Sequence, residues 1–168
     1  MKDNLVQELN ELEEKIKLLN SLSKYRIEIG VIAGESEKRK REKKFFISVG
    51  LTNAELMFIH ENGSPARNIP ERPVLDMTLK YAANSMLPAF FDKVQNGIMN
   101  KNWDRQKFEL ELGRFCSKLQ DYARDIIYLN DGRLKANSPS VAKRKKGNHP
   151  LFDTGQLARS IVCRYVKK

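Results

Sequence analysis

Two long apolar stripes of helical period fill the middle of this chain and leave it little choice of architecture. The first begins at Val74, behind Pro73, and runs through Leu75, Leu79, Ala82, Ala83, Met86, Leu87, Phe90 and Val94. The second spans about Trp103 to Leu129, with Phe108, Leu112, Phe115, Cys116, Leu119, Ala123 and Ile126 on one face. Apolar residues recurring three and four positions apart mark a helix with one buried side. Pro88 is placed to kink the first helix, Asn96-Gly97 to end it, and Asn130-Asp131-Gly132 to end the second.

Strand signals lie outside this pair. In Tyr25–Ala33 the residues Tyr25, Ile27, Ile29, Val31 and Ala33 share one face, with Arg26 and Glu28 on the other, and Gly34 ends the run. Such alternation predicts a half-buried strand. A polar, basic excursion follows, and Phe45-Phe46-Ile47-Ser48-Val49 returns to strand composition, so 35–51 reads as a long hairpin arm. Ile161–Val166 reads as a closing strand. Between these, Thr52-Asn53-Ala54-Glu55 has the form of a capping box, with Asn62-Gly63 as the left-handed stop of a short helix. Residues 64–73 form a loop with three prolines. Ser138 and Pro139 open a short basic helix, and Asp153 with Gln156 forms a second capping box. The fold class expected is α+β: a small antiparallel sheet packed against two long helices.

The N-terminus stands apart. Leu5, Leu9, Leu12, Ile16 and Leu19 are spaced four, three, four, three, an a/d stripe on a helix over about 4–20 that Asp3 or Asn4 caps. It covers only about two heptads, fewer than a free coiled coil needs. It packs either on its own domain or on a neighbouring subunit. Domain organisation is therefore an amphipathic helix over 1–23 and one domain over 24–168 that carries the basic arm at 35–51.

Length and composition narrow the function. At 168 residues, 40% of them hydrophobic, the chain buries one core and is too apolar for a disordered segment. No apolar run approaches the about 20 residues of a membrane helix. The N-terminus leads into an acidic amphipathic stretch, not an apolar signal core, so cytoplasmic synthesis and assembly are expected. Lys and Arg outnumber Asp and Glu by 31 to 21, and the excess is localised. Residues 38–44 carry six bases and one acid, and residues 133–168 carry ten bases and one acid, whereas residues 1–23 carry five acids and three bases. Such clusters meet polyanions or acidic protein surfaces, or keep a loop solvated.

No catalytic constellation emerges, and no metal or cofactor is expected. His60-Glu61 lacks the second histidine of a zinc-protease motif. The chain has no phosphate-cradling glycine loop and no G-x-S-x-G. Cys116 and Cys163 lie far apart in sequence in apolar surroundings and read as small buried hydrophobes rather than a disulfide framework. The basic runs lack interleaved aromatics, so any contact with nucleic acid would be to phosphates. Two classes besides a structural protein stay open: a non-specific DNA-binding accessory protein and a small metal-dependent nuclease or toxin.

Three segments in order carry a family likeness. The first is the strand Ile29-Gly30-Val31-Ile32-Ala33-Gly34. The second is Phe58-Ile59-His60-Glu61-Asn62-Gly63 with Asn68-Ile69-Pro70-Glu71-Arg72-Pro73-Val74-Leu75. The third is Pro139–Lys145 with Pro150-Leu151-Phe152-Asp153-Thr154-Gly155-Gln156-Leu157-Ala158-Arg159-Ser160-Ile161. Together they resemble the "IHE-G … IP-RPFL … PLIDTG-L--SI" pattern of tailed-phage virion morphogenesis proteins. That group includes the Mu-like tail-completion proteins, also called neck or head–tail joining components. Val74 stands where the family usually has an aromatic, and the basic arm is longer than usual.

The resemblance implies a non-enzymatic virion subunit at the head–tail junction, assembled in the host cytoplasm. It would form a homo-oligomeric ring, commonly sixfold, around the DNA path. Its partners would be further copies of itself, head connector or adaptor proteins, and a tail terminator or tail tube protein. Candidate interface residues are Leu5, Leu9, Leu12, Ile16, Phe45, Phe46, Ile69, Pro70 and Arg72. Candidate contacts to DNA or an acidic partner are Lys38, Arg39, Lys40, Arg41, Lys43, Lys44, Lys143, Arg144, Lys145 and Lys146. Gly63 and Gly155 would serve as turn or cap positions, Asp153 as a helix cap, and Pro70 and Pro73 as stiffeners of the loop into the first long helix.

Overall fold

A computed structural model describes residues 2–32, 51–100, 104–145 and 148–168; within the first helix, the side chains of residues 2–6, Leu18 and Leu22 lie outside that description. The expected arm falls almost wholly outside it too, with Phe45, Phe46 and the basic residues of 38–44. In chain order the elements are α1 (Lys2–Leu22), β1 (Tyr25–Gly30), α2 (Asn53–Asn62), α3 (Val74–Tyr81), α4 (Leu87–Met99), α5 (Arg105–Tyr128), α6 (Pro139–Lys145), α7 (Gln156–Arg159) and β2 (Val162–Lys167). The chain is mixed helix with a small antiparallel sheet of two strands. Among the described residues no helix is long and apolar enough to cross a membrane.

The sheet joins the two ends of the domain. β1 pairs with β2, from Tyr25 opposite Lys167 to Gly30 opposite Val162. The strand expected over 25–33 therefore stops at Gly30, where its partner runs out. One face of the pair carries Tyr25, Ile27, Ile29, Cys163 and Tyr165, which pack against the long helices. On the other face Glu28 accepts from Arg26 and from Arg164 across the strands.

The first long stripe folds as a helix, but Leu79 and Ala83 of the expected buried face are exposed and Thr78 is buried beside Val74 instead; two further differences concern its course. Between α3 and α4 the residues Ala82–Met86 form a wide π turn, in which the N–H of Leu87 reaches the carbonyl of Ala82. Pro88 follows directly. It has no N–H to donate one turn back, and the widened turn absorbs the mismatch without ending the helix. The second difference lies at Asn96-Gly97, expected to end the helix. α4 continues to Met99 with Gly97 buried inside it. Val94 and Ile98 bury against Phe108 and Leu112 of α5, and that packing outweighs a glycine's helix cost of about 1 kcal/mol.

α5 begins at the N-cap Asp104, whose side chain accepts from the N–H of Lys107 at 2.8 Å. Its buried residues are Phe108, Leu112, Phe115, Cys116, Leu119, Ala123, Ile126 and Ile127, which contain the whole predicted stripe. The two cysteines, remote in sequence, meet here. Cys163 on β2 lies in hydrogen-bonding contact with Cys116, and its N–H donates to Gln120 Oε1 at 3.0 Å. Both thiols are free. Contact with Cys116, together with burial, holds the Cys163 thiol far above the ordinary thiol range.

α1 is separate from this core. Leu9, Leu12, Ile16 and Leu19 are each more than half exposed, and among the described residues none of α1 belongs to an apolar cluster of the domain.

Two consequences are measurable. Leu119→Ala, at a site 2% exposed, lowers unfolding stability by about 2–5 kcal/mol, whereas Leu12→Ala changes it by less than about 0.5 kcal/mol; urea titrations separate the two. The second concerns Glu111, whose carboxyl is held below the ordinary range by Lys93 on α4 and then by Arg114, against the opposing effect of burial. A depressed carboxyl adds stability above the unfolded value of about 4.3, and that stability is lost as pH falls through the folded value. Glu111→Gln therefore flattens the acid side of the stability–pH curve while leaving its neutral slope unchanged.

Candidate functional site

The second and third motif segments, far apart in sequence, close on each other around one cleft. The second is held by local bonds. Thr52 caps α2: its Oγ1 accepts from the N–H of Glu55 at 3.2 Å, and the Glu55 carboxylate accepts from the N–H of Thr52 at 2.7 Å. The bond from the Thr52 N–H, and then one from the Thr52 hydroxyl at 3.0 Å, hold the Glu55 carboxyl below its ordinary range. α2 stops at Gly63, as expected, but in a different conformation. Gly63 has φ 68° and ψ −178°, and the left-handed helical residue is Asn68. A Cβ on Gly63 would stand 2.8 Å from Glu71 Cγ and 3.0 Å from the Glu71 nitrogen, so the turn has no room for one. It closes through Ser64 and Ile69, which exchange N–H···O bonds of 2.8 and 3.0 Å.

Two charged residues tie this turn to its surroundings. The Glu61 carboxylate accepts from the N–H groups of Leu75 at 3.0 Å and Asp76 at 2.8 Å. It thus caps α3, whose own N-cap residue is Pro73 and offers no side-chain acceptor. Arg72 is 5% exposed. Its backbone N–H donates to the His60 carbonyl at 2.7 Å. Its guanidinium donates to the carbonyls of Lys135 at 2.7 Å and Ala136 at 2.9 Å, and to Asn137 Oδ1 at 3.3 Å. No carboxylate is among these partners. Burial lowers the basicity of Arg72, but an arginine stays charged.

The third segment supplies the opposite wall. Leu157, Ala158 and Ile161 are buried with Met57 of α2 and Val74 of α3 in one cluster. Lys145 Nζ donates to the Phe152 carbonyl at 2.9 Å, and the His149 ring stacks on Phe152. Asp153 departs from expectation. It is exposed and caps nothing; Gly155, at φ 74°, occupies the N-cap of α7. The left-handed turn at Gly155 delays the helix by two residues and carries its first N–H groups past Asp153.

Between the walls lies a cleft of about 360 Å³ with an apolar floor that includes Leu56, Ile69, Pro70 and Val141. Its polar lining includes His60, Arg72, Arg144 and Lys145, with Asp153 as the one acid. Asn137 also lines it, and the Asn137 Nδ2 is buried without a hydrogen-bond partner. A larger groove of about 750 Å³ between α3, α4 and α5 holds Lys93 and Arg114 bonded to Glu111, and Lys118, Asp121 and Asp125 also line it. Among the described residues no group of three or more His, Cys, Asp or Glu is placed to hold a metal ion. A basic rim over an apolar floor can bind an acidic, amphipathic surface.

The predicted site residues therefore separate. Ile69 and Pro70 line the cleft with Arg144 and Lys145, and Lys143 is exposed on the same short helix. Arg72 is not surface; it is a buried clamp on residues 135–137, because its Nε and Nη2 find the carbonyls of Lys135 and Ala136 and the Asn137 Oδ1 there. Leu9, Leu12 and Ile16 form an exposed face of α1, and the side chain of Leu5 lies outside the described residues. Phe45, Phe46, Lys38, Arg39, Lys40, Arg41, Lys43, Lys44 and Lys146 lie outside the described residues. Sequence reasoning missed the capping role of Glu61 and the presence of Asn137 in the cleft. Both are contacts made 14 or more residues apart, which no local pattern marks.

Replacing Arg72 tests the clamp. Arg72→Met leaves the carbonyls of Lys135 and Ala136 short of a donor and costs about 1–3 kcal/mol in a urea titration. Arg72→Lys fails to restore the loss, since an ammonium cannot span three acceptors as a planar fork does. Full stability in Arg72→Lys would show that charge alone matters there.

Comparison of the chain with protein-family models, curated proteins and solved structures finds no match.

Proposed function

We propose that this protein is a non-enzymatic structural subunit of a phage neck, which joins the head connector to the tail as a homo-oligomeric ring around the DNA path. The observation that carries this reading is the uncovered apolar stripe of α1. Four large aliphatic side chains on one helix face, each more than half exposed, belong against another chain. The motif segments behind the phage likeness support it in a second way. They build a stiff, pre-shaped loop and cleft, and a surface that is already ordered loses little entropy on association.

The alternative, a non-specific DNA-binding accessory protein, draws on the exposed Lys143 and Arg144 of α6 and the run at 38–44. Its mark is binding to random duplex that weakens steeply with salt.

Electron microscopy of assembled virions carrying a tagged subunit tests the proposal. A ring of density at the head–tail junction is expected, and absence from the finished particle overturns the structural reading in favour of an assembly factor. Neutralising Lys38, Arg39, Lys40 and Arg41 together reduces attachment to a partner and leaves the thermal midpoint unchanged. Lowered stability with joining intact would count against a contact role for the arm.

A further inference from the structure

A closed ring with cyclic symmetry needs two different surfaces on each subunit, because its contacts are head to tail. This chain presents two surfaces of opposite character. One is α1, with its exposed stripe and a sequence of five acids and three bases. Glu8 and Glu14 are exposed and form no ion pair among the described residues. The other is the cleft, with an apolar floor and a basic rim.

We infer that α1 of one copy docks into the cleft of the next. This rests on the ring reading above and names the contact that would build it. Apolar matching brings Leu9, Leu12 and Ile16 to the floor around Ile69, Pro70 and Val141, as an amphipathic helix fills a groove. Charge matching sets the acids of α1 beside Arg144 and Lys145. Behind them lies Arg72, whose buried charge has no carboxylate partner among the described residues.

The same chain's own helix does not fill the cleft. Among the described residues none of α1 lines it, and α1 joins β1 through only Ser23 and Lys24. That junction is at the Tyr25 end of the strand, whereas the core cluster beneath the cleft meets the strand at Ile29. Pairing α1 with α1 is the competing use of the stripe. In a parallel pair, with Leu5, Leu12 and Leu19 as d residues and Leu9 and Ile16 as a residues, Glu8 would face Glu13 of the other helix. Like charges there disfavour that arrangement.

Mixing complementary full-length variants tests the contact. The helix variant is Leu12→Asp with Ile16→Asp. The cleft variant is Ile69→Asp with Arg144→Glu. All four positions are exposed or half-exposed, and circular dichroism with thermal unfolding verifies each fold. In sedimentation velocity, wild type associates with concentration, and each variant alone shows association weakened at least about tenfold. An equimolar mixture forms a one-to-one dimer and stops there, because one intact helix meets one intact cleft.

A cleft variant that associates as strongly as wild type overturns the inference, and if the helix variant fails to do so, α1 pairs with itself. A mixture that stays monomeric also overturns it. A photo-crosslinker at position 12 gives a second readout in virions, with crosslinks expected to 69–72 or 138–145 of another copy. Crosslinks elsewhere, in a particle that shows the ring, sink the docking mode and leave the neck reading standing. Absence of the subunit from the particle sinks the neck reading and leaves the mixing result to decide the contact.

Discussion

All three apolar clusters of the domain are built on one face of α5. Phe108 and Leu112 meet Val94 and Ile98 of α4; Phe115 and Leu119 meet Ala82 and the inner face of the sheet; Ala123, Ile126 and Ile127 meet α2, α3 and the α7 turn. A helix of 24 residues is about 36 Å long, enough to span a small domain. Each cluster therefore depends on the same continuous stripe. The sheet, two strands wide among the described residues, could not stand alone. It is stable because its inner side chains lie on α5.

The cleft is positioned at one end of this spine by buried polar ties rather than by apolar packing alone. Arg72 reaches across more than sixty residues to hold the carbonyls at 135 and 136, and Glu61 caps α3 from the neighbouring turn. A buried guanidinium must find acceptors, and here carbonyl dipoles supply them. Because those acceptors carry no full negative charge, the positive charge of Arg72 stays uncompensated beside the cleft. The residue that fixes the loop thus also biases what the loop attracts.

Core and surface have separate tasks in this molecule. Leu157, Ala158, Ile161, Met57 and Val74, all within or beside the motif segments, are spent on the core. The residues exposed towards a partner are fewer: the stripe of α1 and Lys143 and Arg144 of α6 among them. In the proposed head-to-tail contact, an acidic amphipathic helix and a basic apolar cleft on one chain supply both adhesion and direction, with electrostatics setting register more than affinity.

Local patterns by themselves determined much of this. The helical stripes of α3, α4 and α5, the alternation of β1 and the Thr52–Glu55 box are interactions within a few residues, and a single sequence displays them. Tertiary structure decided the rest. It paired β1 with β2 from the far end of the chain, carried α4 through Gly97, and put Cys116 beside Cys163. It also buried Arg72, moved the α7 cap from Asp153 to Gly155, and left α1 uncovered. Each of these depends on which surfaces are buried against each other, and burial is a property of the folded whole. Residue type and spacing show that a side chain is apolar or charged, but only the packed structure shows whether it has found its partner.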